Sequence, residues 1–238
     1  ILRMLRVGTA CSGIGAPEQA LKNLNIPHSV EFAVEIDKFA RQTYLANHAC
    51  KEMFEDVTAL DYEALPDIDL FVGGFPCVSF SVSGNRRGFE DTRGTLFFNM
   101  LEILKAKRPK VFLMENVVGL LSHKKGRTMS TILDSLSGAI NGQSLIPMCV
   151  DSLGYDVYYA VLNALDFDVP QRRLRVFIVG FRDPTKFSFP DRVLGGRAVG
   201  DIMDKEADDK YYVSKETMKS LIARTEEHTL RSDGDWVM

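Results

Sequence analysis

The chain has 238 residues, 45% of them hydrophobic and 26% charged. That is material for roughly one and a half domains, or one large one, and it excludes a disordered or collagen-like chain. The formal net charge of −3 argues against general affinity for nucleic acid, but it is unevenly placed: from Asp201 onward ten acidic residues stand against six basic ones, which leaves 22 against 23 before it. Local basic clusters therefore weigh more than the total.

No apolar run approaches the ~20 residues of a bilayer span, and Arg3, Arg6 and Gly8 interrupt any signal-peptide pattern at the start. The four cysteines (Cys11, Cys50, Cys77, Cys149) are scattered without a Cys-x-x-Cys pair, which fits a reduced, intracellular protein better than a disulfide framework or a zinc site. The four histidines form no cluster, so no metal centre is expected.

In chain order, Leu5 to Ala10 reads as a buried strand running into Cys11-Ser12-Gly13-Ile14-Gly15, with a helix from about Pro17 to Leu24. Val30 to Glu35 is a second strand, followed by a helix from Lys38 to about His48. Leu70 to Gly73 is a short strand leading into Gly-Gly-Phe-Pro-Cys, and Thr95 to Lys107 shows apolar residues at helical spacing. Val111 to Met114 is a further strand, ending in Glu115-Asn116. Such alternation predicts an α/β fold with a mostly parallel sheet. Tyr155 to Leu162 and Arg175 to Phe181, separated by a Pro-Gln-Arg-Arg turn, read as an antiparallel hairpin added at one edge. The Gly- and Ser-rich stretch from Ser137 to Pro147 reads as an inserted loop. Beyond Pro184 the pattern thins, with one helical piece near Ser214 to Arg224.

Three strand ends carry candidate chemistry. Gly13-x-Gly15, after a strand and before a helix, suits close approach of backbone to a ligand. A dinucleotide fingerprint would need a third glycine where Glu18 stands, so a nicotinamide cofactor is disfavoured. Glu35 is placed to take ribose hydroxyls, and Asp56 could accept from an adenine amino group. Together they suggest an adenosine-containing cofactor. Cys77 follows Gly73-Gly74-Phe75-Pro76 just past a strand's carboxyl end, where open α/β sheets bind ligands. Its sulfur suits attack on an electron-poor ring carbon, whereas Cys11, Cys50 and Cys149 read as small buried residues. Glu115 sits at the next strand end, where the sheet topology could bring it near Cys77 and a carboxyl could hold or pass a proton. Arg173 and Arg175 fall on one face of an extended segment and could bind a phosphate or a base carbonyl. The bland reading of these groups is turn glycines and surface ion pairs.

Four segments, in this order, carry a resemblance: Gly-Phe-Pro-Cys-x-x-Phe-Ser, Gly-Phe-Glu-Asp-Thr-Arg-Gly-Thr-Leu-Phe, Met-Glu-Asn-Val and Gln-Arg-Arg-x-Arg. From about Leu5 to Pro190 the chain resembles the DNA cytosine-5 methyltransferases. The resemblance implies a Rossmann-like methyltransferase fold with S-adenosylmethionine as cofactor. By position, Gly13 and Gly15 would pass near its methionine part, Glu35 would hold the ribose and Ile36 would pack on adenine. Asp56 and Val57 would meet the adenine edge, Thr95 and Leu96 would bind the amino-acid end, and Cys11 and Pro76 would complete the contacts. Cys77 would be the nucleophile, Glu115 the partner of cytosine N3, and Arg173 and Arg175 would orient the base. The loop from Ser81 to Thr95, with Arg86, Arg87 and Arg93, and Gln171 beyond it, would contact duplex DNA.

Two departures stand out. An aromatic residue usual in the family's first motif is replaced by Cys11, and nothing resembles a target-recognition domain or the last two motifs. The sequence therefore implies a catalytic domain over residues 1–190, a connector over 191–238, and a second protein subunit supplying recognition, in a bacterial or phage-infected cytoplasm or at the nucleoid. A transfer-RNA cytosine-5 methyltransferase, a non-catalytic regulatory chain, an oxidoreductase and a piece of a single-chain enzyme are the rival readings.

Overall fold

The computed structural model describes residues 4–75, 96–140, 143–144, 152–193, 195–206, 208 and 212–231. The chain divides into two compact units, Ile1–Gly195 and Gly196–Met238. In the second, α6 spans Lys215–Arg231, a longer helix than the sequence pattern suggests.

Among the described residues the first unit is built on a nine-stranded sheet in the order β3-β2-β1-β4-β5-β9-β8-β6-β7. Its parallel part comprises β1 (Leu5–Ala10), β2 (His28–Val34), β3 (Glu52–Phe54), β4 (Leu70–Gly74) and β5 (Val111–Val117). Strand β4 lies between β1 and β5, parallel to both, so the chain order reverses at β1. Open α/β sheets place their ligands outside the carboxyl ends of strands at such a switch point.

The expected hairpin forms from β8 (Tyr155–Asn163) and β9 (Leu174–Phe181), with β9 antiparallel to both β8 and β5. Two short strands lie outside it: β6 (Ser137–Ile140) and β7 (Gln143–Ser144). Ser137–Ile140 is therefore not the loop its Gly and Ser content suggests. Its register against Tyr155–Val157 of β8 gives the backbone ladder partners that outweigh a weak local propensity.

The helices follow from local chemistry. Helix α1 (Ala16–Asn23) starts after Gly15 with Pro17 in its first turn, where proline's missing N–H costs nothing. Helix α2 (Lys38–Asn47) is capped by Asp37, which accepts from the Ala40 amide at 2.7 Å. Helix α3 (Leu96–Lys107) buries Phe97, Met100, Ile103 and Leu104 completely. Their spacing makes one apolar stripe, each side chain contributing roughly 1.5–3 kcal/mol by leaving water. It ends at Arg108, held at φ 43°, just before Pro109. A short α4 (Gly119–Ser122) leads into α5 (Arg127–Leu136), which buries Met129, Ile132, Leu133 and Leu136. No helix among the described residues is long and apolar enough to cross a membrane.

Asp69, 6% exposed, pins the amino ends of three strands. Its carboxylate accepts from the Arg6 backbone at 3.2 Å and from the Arg6 guanidinium at 3.1 Å, and it pairs with Lys110 at 3.3 Å. Burial alone would raise its pKa; the bonds from Arg6 and Lys110 outweigh that and bring it to about 2. The folded pKa thus lies below the unfolded value of about 3.9, so this stability is present above that pH and is lost as pH falls toward 2. Replacing Asp69 by Asn is expected to lower unfolding free energy by about 1–3 kcal/mol at pH 7. It should also flatten the acid limb of a Tm-against-pH curve; an unchanged limb would contradict the assignment.

Candidate active site

The carboxyl end of β1 enters a turn whose backbone has little freedom to be otherwise. Cys11, Gly13 and Gly15 all adopt positive φ, at 51°, 55° and 92°. A side chain at Gly15 would strike the His48 ring, whereas one at Gly13 would meet nothing within 4 Å. Gly15 is thus required by packing, and Gly13 leaves an open approach to bare backbone.

Glu35 faces that approach from the end of β2. Its two carboxylate oxygens accept from the Gly13 amide at 2.7 Å and the Asp37 amide at 2.9 Å. Each oxygen keeps a lone pair for a further donor. Arg41 braces the same turn from α2, donating to the carbonyls of Glu35 and Ile36 at 2.8 Å and pairing with Glu55. Beside Glu35, Ile36 is 73% exposed, an apolar surface with no cover among the described residues. Asp56 bonds the backbone and hydroxyl of Thr58, both at 2.8 Å, which lowers its pKa. Val57 is buried in the core, and Leu96 packs partly against it.

Beneath the turn lies a polar network that the sequence reading did not find. The Glu18 carboxyl, 1% exposed, accepts from the Tyr44 hydroxyl at 2.7 Å and from Thr9 at 3.2 Å. The Thr9 hydroxyl meets that of Ser12 at 2.7 Å, and Ser12 exchanges bonds with the Val34 backbone. In the sequence, Glu18 marks only the place of a missing glycine. The available signal was a carboxyl three residues before Leu21, on the buried stripe of α1. Burial, with the nearby Glu35 charge adding to it, pushes the Cys11 thiol up to about 11, so Cys11 is protonated at neutral pH. His48 is held below its usual pKa, chiefly by burial and then by Lys22.

Along β5 the side chains alternate, so Asn116 points into the buried face and Glu115 to the opposite one. Asn116, 1% exposed, donates to the Phe75 carbonyl at 2.7 Å, and its own oxygen accepts from the Val117 amide at 2.8 Å. It thereby fixes the backbone two residues before Cys77. Glu115 lies opposite Gly74 in register and pairs with the Arg175 guanidinium at 2.7 Å. Arg173 does not share this pairing: it precedes β9, is exposed, and its amide donates to Asn163 at 3.0 Å. Gln171 is exposed nearby. Pro76, Cys77, Ser81, Arg86, Arg87, Arg93 and Thr95 lie outside the described residues. Among the described residues no three His, Cys, Asp or Glu side chains gather to hold a metal.

Residues 5–235 match the family of C-5 cytosine-specific DNA methylases. The chain belongs to that family. It is 45% identical over 190 residues to the Type II methyltransferase M.NgoBI of Neisseria gonorrhoeae, covering 79% of this chain and 55% of that protein. It is 36% identical over 255 residues to the orphan methyltransferase M.Rho11sI of Bacillus phage rho11s, covering 93% and 48%. The chain thus spans about half the length of these relatives. The crystal structure of S. pombe Dnmt2 methyltransferase shares the fold, with a TM-score of 0.65, 22% identity and coverage of 93% of this chain and 66% of that one.

The cofactor of this family is S-adenosylmethionine. The turn fits such a group: open backbone at Gly13, a carboxylate with spare lone pairs at Glu35, and the uncovered side chain of Ile36.

Glu18→Ala leaves the Tyr44 and Thr9 hydroxyls without their acceptor and is expected to cost about 1–3 kcal/mol, read by urea unfolding. Iodoacetamide at pH 7.5 should leave Cys11 unmodified, as peptide mass spectrometry would report; rapid labelling of Cys11 would contradict the burial-raised pKa.

Proposed function

We propose that this chain is the catalytic part of an enzyme that methylates C5 of cytosine in duplex DNA, with S-adenosylmethionine as donor. The observation that carries the reading is the meeting of Glu115, Asn116 and the Phe75 carbonyl at adjoining strand ends. It sets an acid–base group and a fixed backbone at the carboxyl end of β4, and Pro76 and Cys77 follow Phe75 directly in the sequence. Family membership supports the same reaction.

The chemistry follows from what these residue types can do. Cytosine C5 is too weakly nucleophilic to accept a methyl group unaided. The Cys77 thiolate adds to C6, and the electron pair of the C5–C6 bond becomes available at C5. Glu115 donates a hydrogen bond or proton at N3, where negative charge would otherwise collect. Arg175, already paired with Glu115, orients that carboxyl and the base edge, and Arg173 takes nearby groups. When bound, the cofactor supplies a methyl group on a sulfonium, which C5 takes. Water takes the C5 proton, the C5–C6 double bond re-forms as Cys77 leaves as thiolate, and Glu115 takes back any proton held at N3. The target base leaves the stack first, at a cost of roughly a few kcal/mol.

In the cofactor site, Glu35 holds the ribose, Ile36 packs on adenine, and Asp56 and Val57 meet the adenine edge. Gly13 and Gly15 pass the methionine part, Thr95 and Leu96 take its amino-acid end, and Cys11 and Pro76 complete the contacts. Ser81, Arg86, Arg87, Arg93 and Gln171 contact DNA. Target recognition falls to further polypeptide, on a second chain as the resemblance implies or on the same one.

The test is transfer of labelled methyl groups from S-adenosylmethionine to mixed-sequence duplex DNA, by the chain alone and with extract of its source cells. Cys77→Ser should abolish transfer. Glu115→Gln should slow it about 10²–10⁴-fold. Transfer to transfer RNA in place of DNA, or transfer surviving Cys77→Ser, would overturn the reading.

A further inference from the structure

Between α4 and α5 the chain makes a turn that the proposed reaction does not use. Lys124 and Lys125 are both left-handed, at φ 50° and 60°, and Gly126 follows at φ 83°. Two adjacent lysines in this region are unusual, because a Cβ crowds the backbone there and glycine or asparagine relieves it. Arg127 closes the turn by donating from Nε to the Lys124 carbonyl at 3.3 Å. Lys124, Lys125 and Arg127 are exposed, and among the described residues none has a carboxylate partner. The fold thus holds three uncompensated positive charges on a turn whose backbone would favour other residues.

Topology places that turn. Strand β6 is parallel to β8, and both β8 and β5 are antiparallel to β9, so β5 and β6 run the same way. The crossover between them must leave the carboxyl end of β5 and return along α5 to the amino end of β6. The turn before α5 therefore stands at the sheet's carboxyl edge, the edge of Glu115. Arg172 and Arg173, both exposed, reach the same edge, because Val117 at the end of β5 pairs with Arg175 at the start of β9.

We infer that Lys124, Lys125 and Arg127 form a contact site for the phosphate backbone of the DNA duplex that carries the target cytosine. The inference rests on the proposed DNA substrate and names a surface for it outside the Ser81–Thr95 loop. Phosphates fit three cations grouped without counter-charge, and a contact to backbone alone positions the duplex without reading its sequence.

Fluorescence anisotropy of the full chain on a labelled 24-base-pair duplex, over a series of KCl concentrations, tests it. Each phosphate contact adds about 0.9 to the slope of log affinity against log salt. Replacing all three residues by alanine should therefore lower the slope by about two to three and weaken binding roughly 10²–10³-fold near 0.1 M salt. K124G/K125G relieves the backbone while removing two charges; it should lower the slope by about two without lowering Tm. K124R/K125R should bind as the wild type does. Wild-type binding with unchanged slope and affinity in both charge-removing variants would overturn the inference and leave the proposed reaction standing. Loss of binding in K124R/K125R would also overturn it. Failure of the wild type to bind duplex at any salt would overturn the inference and leave the proposed reaction to the methyl-transfer test.

Discussion

Asp69 gathers the amino ends of β1, β4 and β5 through Arg6 and Lys110, and the rest of the site depends on the alignment it fixes. Parallel strands have no tight hairpin to set their register, so side-chain and packing contacts must do it. Once the amino ends are pinned, the pleat carries the alignment to the other edge. There Ala10 lies beside Gly73, and Gly74 beside Glu115. The glycine turn after β1 and the acid–base group on β5 thus reach one edge from opposite sides of β4. A slip of one residue in β5 would exchange Glu115 and Asn116 between the two faces.

The two halves of the site are stabilised in different ways. Around the β1 turn, hydroxyls and the buried Glu18 carboxyl form a chain from Tyr44 through Thr9 to Ser12 and the Val34 backbone. The left-handed residues of the turn are held by that network and by the His48 ring against Gly15. Beside β5 the anchor is a single amide: Asn116 spends its donor on Phe75 and its acceptor on Val117. Buried, it has little alternative, since an unpaired amide there would cost more than the bond gains. Glu115, on the opposite face, stays partly open and, among the described residues, pairs with Arg175.

Much of this was legible in the chain itself. The strand–helix alternation through residue 117, the short β3 apart, is carried by apolar runs and by glycine and proline punctuation, all local signals. Glu35 at the end of β2, Glu115 at the end of β5 and the glycines after β1 could be read from position within those runs. The Ser137–Ile140 strand could not, because nothing in its Gly- and Ser-containing sequence signals the neighbour that completes its ladder. Glu18 was hidden for a related reason: a carboxyl on an apolar stripe reads as a breach of the pattern until Tyr44, from another helix, supplies its donor.

The sequence by itself determined the family, the residue types available for thiol addition and proton transfer, and the parallel α/β class. Those follow from residue order and from periods of two and 3.6, which are properties of short segments. Only the tertiary structure decided which of those residues meet. It set Arg175 rather than Arg173 on Glu115, gave Asn116 the task of holding the Phe75 carbonyl, and brought the Lys124–Lys125 turn to the edge of Glu115. Each outcome depends on strand order and register, which are fixed by contacts between segments far apart in the chain.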